Sequence, residues 1–249
     1  MAEYADAGAT DRLVRATVLA AILEHTEGAD PLRGVCQAGI WLLPVDGASI
    51  CLMTDSAHRE MLHASDDVNR RIEELQFTLG EGPCVEAFTT RRPVLVPNLA
   101  TASTPLWPVF AEEMIGQPVG AIFAFPMRTA TACVGAMEFY RRDPGELSAA
   151  DLAIALEVVS VATALLLAQG RQADGAAETD DIAAAWWGKL TEDRRHVHQA
   201  TGMLVGAFDI PADQAIALLR GYAFTTGHRI DEVARALTTG QLLPADLDR

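Results

Sequence analysis

The sequence predicts an α+β sheet domain followed by a small all-helical one, and three observations lead there. Apolar runs with strand and helix periodicity mix over the first two thirds of the chain without a strict βαβα repeat, which argues against a doubly wound parallel sheet. The stretch 170–181, GRQADGAAETDD, is small, polar and acidic, the composition of a joint and not of a core. From Ile182 onward the pattern is helical throughout. A chain of 249 residues has room for one medium and one small unit, expected over 10–169 and 182–249 with 170–181 as linker.

The elements follow in order. Leu13, Val14, Ala16, Val18, Ala21 and Ile22 recur at helical spacing within 11–28, ending at Gly28. Pro31 opens a second apolar segment through Trp41, and the turn Pro44-Val45-Asp46-Gly47 leads into a buried strand at Ala48–Met53. Arg59–His63 is its expected partner strand, and Asp67–Gln76 is charged and helical. Arg92–Pro97 reads as a short strand whose prolines must stay off central ladder positions. A helix near Trp107–Ile115 precedes the strongest β signals, Val119–Met127 and Ala132–Tyr140, rich in Val, Phe and Tyr. Ser148-Ala149-Ala150-Asp151 has capping-box form ahead of an apolar helix over 149–169.

Composition narrows the function classes. With 50% apolar and 21% charged residues the chain has enough material for a packed core. No stretch of twenty apolar residues free of charge is apparent and the first residues lack signal-peptide character, so a soluble, cytoplasmic protein without membrane contact is expected. Cys36, Cys51, Cys84 and Cys133 are widely spaced in apolar surroundings and read as free thiols. The net charge of −15 speaks against coating nucleic acid by bulk electrostatics. Its distribution is uneven: residues 1–184 hold 12 cations against 26 carboxylates, a balance of −14, and residues 185–249 hold 7 against 8, a balance of −1.

On a helical wheel of 195–209, Val197, Ala200, Leu204, Ala207 and Phe208 form an apolar side, opposite Arg195, Gln199, Gly202 and Gly206. Each interior glycine costs ~1 kcal/mol of helix propensity against Ala, so two of them imply a close approach, by a neighbouring helix as the favoured reading or by a nucleic acid. Pro211 suits the first turn of a second helix with core positions Ile216, Leu219, Tyr222 and Ala223. A third, 229–238, buries Ile230, Val233, Ala234 and Leu237. The surface cations Arg194, Arg195, Arg220, Arg229 and Arg235, with His196, His198 and His228, either meet phosphate and bases or pair with Asp193, Asp231 and Glu232. Trp186 and Trp187 fit a homodimer seam or packing against the chain's own domains.

Chemistry of other kinds has little support. In Gly80-Glu81-Gly82-Pro83-Cys84 the cysteine invites a nucleophile or haem-ligand reading, but a turn and helix start with a buried thiol is favoured; Cys84 is still the candidate of the sensory pocket. His58 and His63 stand apart from other ligand types, and His196 and His198, two apart, point in different directions on a helix. With no HExxH, Walker loop or GxGxxG, neither a metal site nor a catalytic constellation is expected, and no cofactor is specified.

Two resemblances add to this. Gly80-Glu81-Gly82-Pro83-Cys84, Pro93-Val94, Trp107-Pro108, Phe125-Pro126 and Val134-Gly135-Ala136 fall in the order seen in GAF domains of actinobacterial regulators. That implies an antiparallel sheet with helices on its faces and a pocket for a small-molecule signal. The runs Arg195–Leu204, Ala215–Arg220 and Arg229–Ala234 resemble the ANTAR domain, three-helix output modules of antitermination regulators that bind paired hairpin loops in leader RNA. The resemblance implies RNA binding through Arg195, His198, Gln199, Gly202, Arg220 and Arg229, in a homodimer. Where that family usually has a lysine, this chain has Thr201. The rivals are a DNA-binding regulator, weakened by Asp231 and Glu232 at the start of the third helix, and a GAF-type reductase with a C-terminal dimerisation module.

Overall fold

A computed structural model describes residues 2–26, 30–53, 59–101, 106–130, 132–174 and 192–247. Five apolar runs extend into strands β1 (Gly47–Met53), β2 (Arg59–Ala64), β3 (Val94–Val96), β4 (Ala121–Arg128) and β5 (Cys133–Arg141). They form one antiparallel sheet in the order β2-β1-β5-β4-β3. The proline-bounded β3 lies at one edge, where a missing N–H costs no ladder bond. Every residue of β1 is buried because helices cover both faces of the sheet.

Against one face pack α1 (Ala2–His25), α2 (Pro31–Leu42) and α6 (Ala149–Asp174), closing a core that includes Val18, Val35, Phe125, Phe139, Val158 and Leu166. The other face carries α3 (Asp67–Leu79), α4 (Pro83–Thr90) and α5 (Pro108–Glu113), with Ile72, Trp107, Phe110 and Tyr140 in one cluster and Cys51, Cys84 and Ala136 in a second. Local chemistry sets the helix starts. Asp30 Oδ1 accepts from the Leu32 N–H at 3.1 Å, and Asp66 caps α3 through Asn69 N–H at 2.8 Å while its second oxygen accepts from Tyr140 Oη. Ser148 and Asp151 make the expected reciprocal box, at 3.0 and 3.1 Å.

Two helix readings change. α1 begins at Ala2, well before residue 11, and Gly28 lies outside the described residues. α6 continues to Asp174, so the polar stretch opens inside a helix. The segment Ala149–Gln169 is long and apolar enough to cross a membrane, with mean hydropathy 2.0, although Asp151 and Glu157 keep it from being a stretch free of charge, the kind that the sequence is expected to lack. Its face Ala155, Val158, Val159, Ala162 and Leu166 is buried on the sheet, which accounts for the apolarity.

The last three helices are α7 (Glu192–Phe208), α8 (Ala212–Thr226) and α9 (Ile230–Thr238). Val197, Ala200 and Leu204 meet Ala215, Ile216, Leu219, Ala223, Ile230, Val233, Ala234 and Leu237 in one core. Ala207 is exposed and not part of it. Pro211 is the N-cap of α8 (φ −61°, ψ 155°), one residue outside the helix, and Gly227 at φ 68° ends it.

Candidate functional site

Along α7, Arg195, Gln199, Gly202 and Gly206 all face solvent. A Cβ added at Gly202 or Gly206 would meet nothing within 4 Å, so among the described residues no neighbouring helix packs against these glycines. His198, half-buried, sits one turn before Gly202. His196 does structural work: its Nδ1 lies 2.6 Å from Thr238 Oγ1 and ties α7 to α9. Thr201 is buried, and its hydroxyl donates back to the Val197 carbonyl at 2.8 Å.

Arg220 and Arg229 are engaged elsewhere, by α3 of the sheet domain. Arg220 Nε donates to the Phe77 carbonyl at 3.1 Å, and its guanidinium carbon stands 5.9 Å from the Phe77 ring centroid. This places a cation at the C-terminal, negative end of α3, beside its cap Gly80 (φ 71°). Phe77 itself belongs to the apolar core of α7–α9. Arg229 Nη1 lies 3.3 Å from Glu74, and its Nε donates to Asp231 at 2.9 Å. The Asp231 hydrogen bond raises its pKa above the ordinary arginine value. The ion-pair reading therefore holds for Arg229, and the structure does not gather the six sequence candidates on one surface. Between α3 and α8–α9 lies a cleft of about 600 Å³, bordered by Arg70, Arg71, Glu74, Phe224 and His228.

The opposite side of α3 faces the sheet. Gly82 (φ 130°) and Pro83 start α4 as read from the sequence, and Cys84 follows, fully buried. The apolar surroundings expected for the thiols do not hold here. Cys84 Sγ lies 3.2 Å from Glu138 Oε2 and 3.5 Å from Glu73 Oε1, and Cys51 Sγ lies 2.7 Å from Glu73 Oε2. Ser49 Oγ donates to Glu73 at 3.1 Å, and Arg59 forms a buried ion pair with the same carboxylate. Gln76 accepts from the Cys84 N–H and donates to Glu138, both at 2.8 Å.

Electrostatics divides the two carboxyls. Burial pushes Glu73 up, but Arg59 and the hydrogen bonds of Cys51 and Cys84 outweigh it, leaving its pKa below the usual value. For Glu138 the balance is reversed: burial first and the charge of Glu73 second push it up to about 8, outweighing the hydrogen bonds of Cys84 and Gln76 and the charge of Arg59. Burial and the neighbouring carboxylates raise both thiols well above their ordinary range, so neither is a ready nucleophile. All four cysteines are free. Sequence reading missed Arg59, Glu73 and Glu138; the available signal was a glutamate in the middle of the apolar run Ala132–Tyr140. His63 lies half-buried on edge strand β2. His58, Trp186, Trp187 and the side chain of Arg194 lie outside the described residues.

Comparison with known proteins agrees with this architecture. A GAF domain model matches residues 16–166 and an ANTAR domain model residues 190–237. Among solved structures, a domain of a putative two-component sensor histidine kinase from Sinorhizobium meliloti 1021 is 17% identical, covers 61% of this chain and 100% of its own, and has a TM-score of 0.48. The GAF domain of a phosphoenolpyruvate-protein phosphotransferase from Coxiella burnetii is 13% identical, covers 67% and 99%, with TM-score 0.48. No curated protein matches the chain.

Proposed function

From a chain that belongs to the GAF-domain family and carries an ANTAR domain behind it, together a signal-sensing regulator, we propose a transcription antiterminator whose α7–α9 domain binds leader RNA hairpins under control of the sheet domain. The observation that carries this reading is the open face of α7. Gly202 and Gly206 lower helix propensity and serve no packing within the described residues, while Arg195 and Gln199 flank them. Two missing side chains let a ribose-phosphate backbone approach the helix, an arginine supplies phosphate contact or stacking, and an amide reads base edges.

Control follows from Arg220 and Arg229. In the described state both are committed to α3, so a signal that shifts α3 releases two cations toward RNA and frees the output domain. Exposed Leu13, Leu19 and Leu23 on α1 and Leu156 on α6 support a homodimer that pairs two output domains on two hairpins. In this reading 10–169 senses, 170–181 links, 182–249 acts on RNA, and the protein works in the cytoplasm.

The test is a gel shift of the full chain with leader RNA carrying two hairpins, a single hairpin, and duplex DNA of the same sequence. Two-hairpin RNA should bind best, Gly202→Leu should abolish that binding with helicity retained, and Arg195→Ala should lower the log-log salt slope by about one unit. Binding to duplex DNA alone, or indifference to both substitutions, overturns the reading.

A further inference from the structure

The buried cluster behind α3 has more polar groups than folding alone accounts for. Glu73, Cys84 and Glu138 come from three separate elements, α3, α4 and β5, and their donor atoms all lie within 4.8 Å of one another. An ion bound at about 2.0–2.3 Å from each donor keeps any two donors within about 4.6 Å, so adjustments of a few tenths of an ångström would bring all three onto one ion. We propose that Glu73, Cys84 and Glu138 bind one divalent transition-metal ion of the zinc or ferrous class in the core of the sensory domain.

A second, independent observation points the same way. Glu138 Oε1 is buried without a hydrogen-bond partner, although the carboxyl's other oxygen accepts from Gln76 Nε2 at 2.8 Å. A buried carboxyl oxygen without a donor calls for an explanation, and a bound ion supplies one. The surrounding groups already orient the donors. Gln76 holds the Cys84 backbone and Glu138 together, and Ser49 and Arg59 hold Glu73 from its other sides. One thiolate with two carboxylates suits a borderline ion better than calcium or magnesium, which take oxygen alone.

The charges balance as the ion enters. Arg59 offsets Glu73; one proton leaves the Cys84 thiol and one leaves the Glu138 carboxyl for solvent, and the two positive charges of the ion replace them. The buried charge is unchanged, so the ion adds no uncompensated charge to the core. The site requires no RNA binding by the chain and stands apart from that reading, although Glu73 shares α3 with Glu74 and Phe77, which touch the output domain.

The full chain, reduced and stripped with chelator under anaerobic conditions, is titrated with Co(II) as a spectroscopic probe. The expected result is one cobalt per chain with thiolate-to-cobalt charge-transfer absorption. Cys84→Ser should remove that absorption, Glu138→Gln should weaken binding by about tenfold or more, and Cys36→Ser, altered in the opposite core, should leave both unchanged. Zn(II) should displace the cobalt and raise the melting temperature. A wild-type chain that binds no stoichiometric cobalt overturns the proposal whatever the variants do, as does charge-transfer absorption that survives in folded Cys84→Ser.

Discussion

The two halves of the molecule treat polar side chains in opposite ways. The sheet domain buries Ser49, Arg59, Glu60, Asn69, Glu73, Gln76 and Glu138, whereas among the described residues of the output domain only Thr201 is a buried polar group. Thr201 spends its hydroxyl on its own helix, so the output core is in effect wholly apolar. Desolvating charges is costly, and an ion pair replaced by apolar residues is often no less stable. The buried charges of the sheet domain thus add little stability over an apolar core, whereas the output domain is held by apolar packing. Helix α3 joins the two regimes, with Glu73 and Gln76 facing the charged core and Glu74 and Phe77 facing the output domain.

Substitutions can break that contrast. Arg59→Met leaves Glu73 buried and unpaired, and should destabilise the sheet domain by about 3–5 kcal/mol in urea unfolding. Arg59→Met with Glu73→Gln should recover much of the loss; no recovery would mean that the cluster is held by packing and not by charge. In the apolar half, Leu204→Ala removes buried methylene groups and should cost about 3 kcal/mol, read as early loss of the output helices with the sheet domain's near-ultraviolet signal kept. A single shared transition for both domains would show that the α3 contact, and not each core alone, sets stability.

Smaller effects sharpen the picture. Ser148→Ala deletes one side of the α6 capping box and should cost about 1 kcal/mol by chemical denaturation. The smallest effect concerns His63, whose pKa burial lowers from 6.5, with Arg33 and Arg70 acting in the same direction and Asp30 against it. The unfolded chain then binds more protons than the folded one below pH 6.5, so stability declines as pH falls through that value. His63→Gln should flatten this part of the pH–stability curve; an unchanged slope would assign it to other groups.

What the sequence by itself determined is what short-range physics governs. Asp66, Ser148 and Pro83 act within three residues of the helix start that they set, the prolines around β3 exclude it from the sheet centre, and the 3.6-residue spacing of Ile230, Val233, Ala234 and Leu237 places a core stripe whatever lies opposite. Even the open face of α7 was legible as a wheel, though only the surrounding structure shows that, among the described residues, no helix fills the space at Gly202 and Gly206.

The tertiary structure alone decided the contacts that join distant parts of the chain. Cys84 and Glu138 are 54 residues apart, and Arg220 and Phe77 are 143 apart, so no periodicity or cap relates them. A thiol has the same local signature whether it meets a methyl group or a carboxylate, and an arginine on an amphipathic helix looks alike whether it awaits RNA or a carbonyl at the end of another helix. Which of these each residue meets depends on how sheet and helices pack, and that is a property of the whole fold.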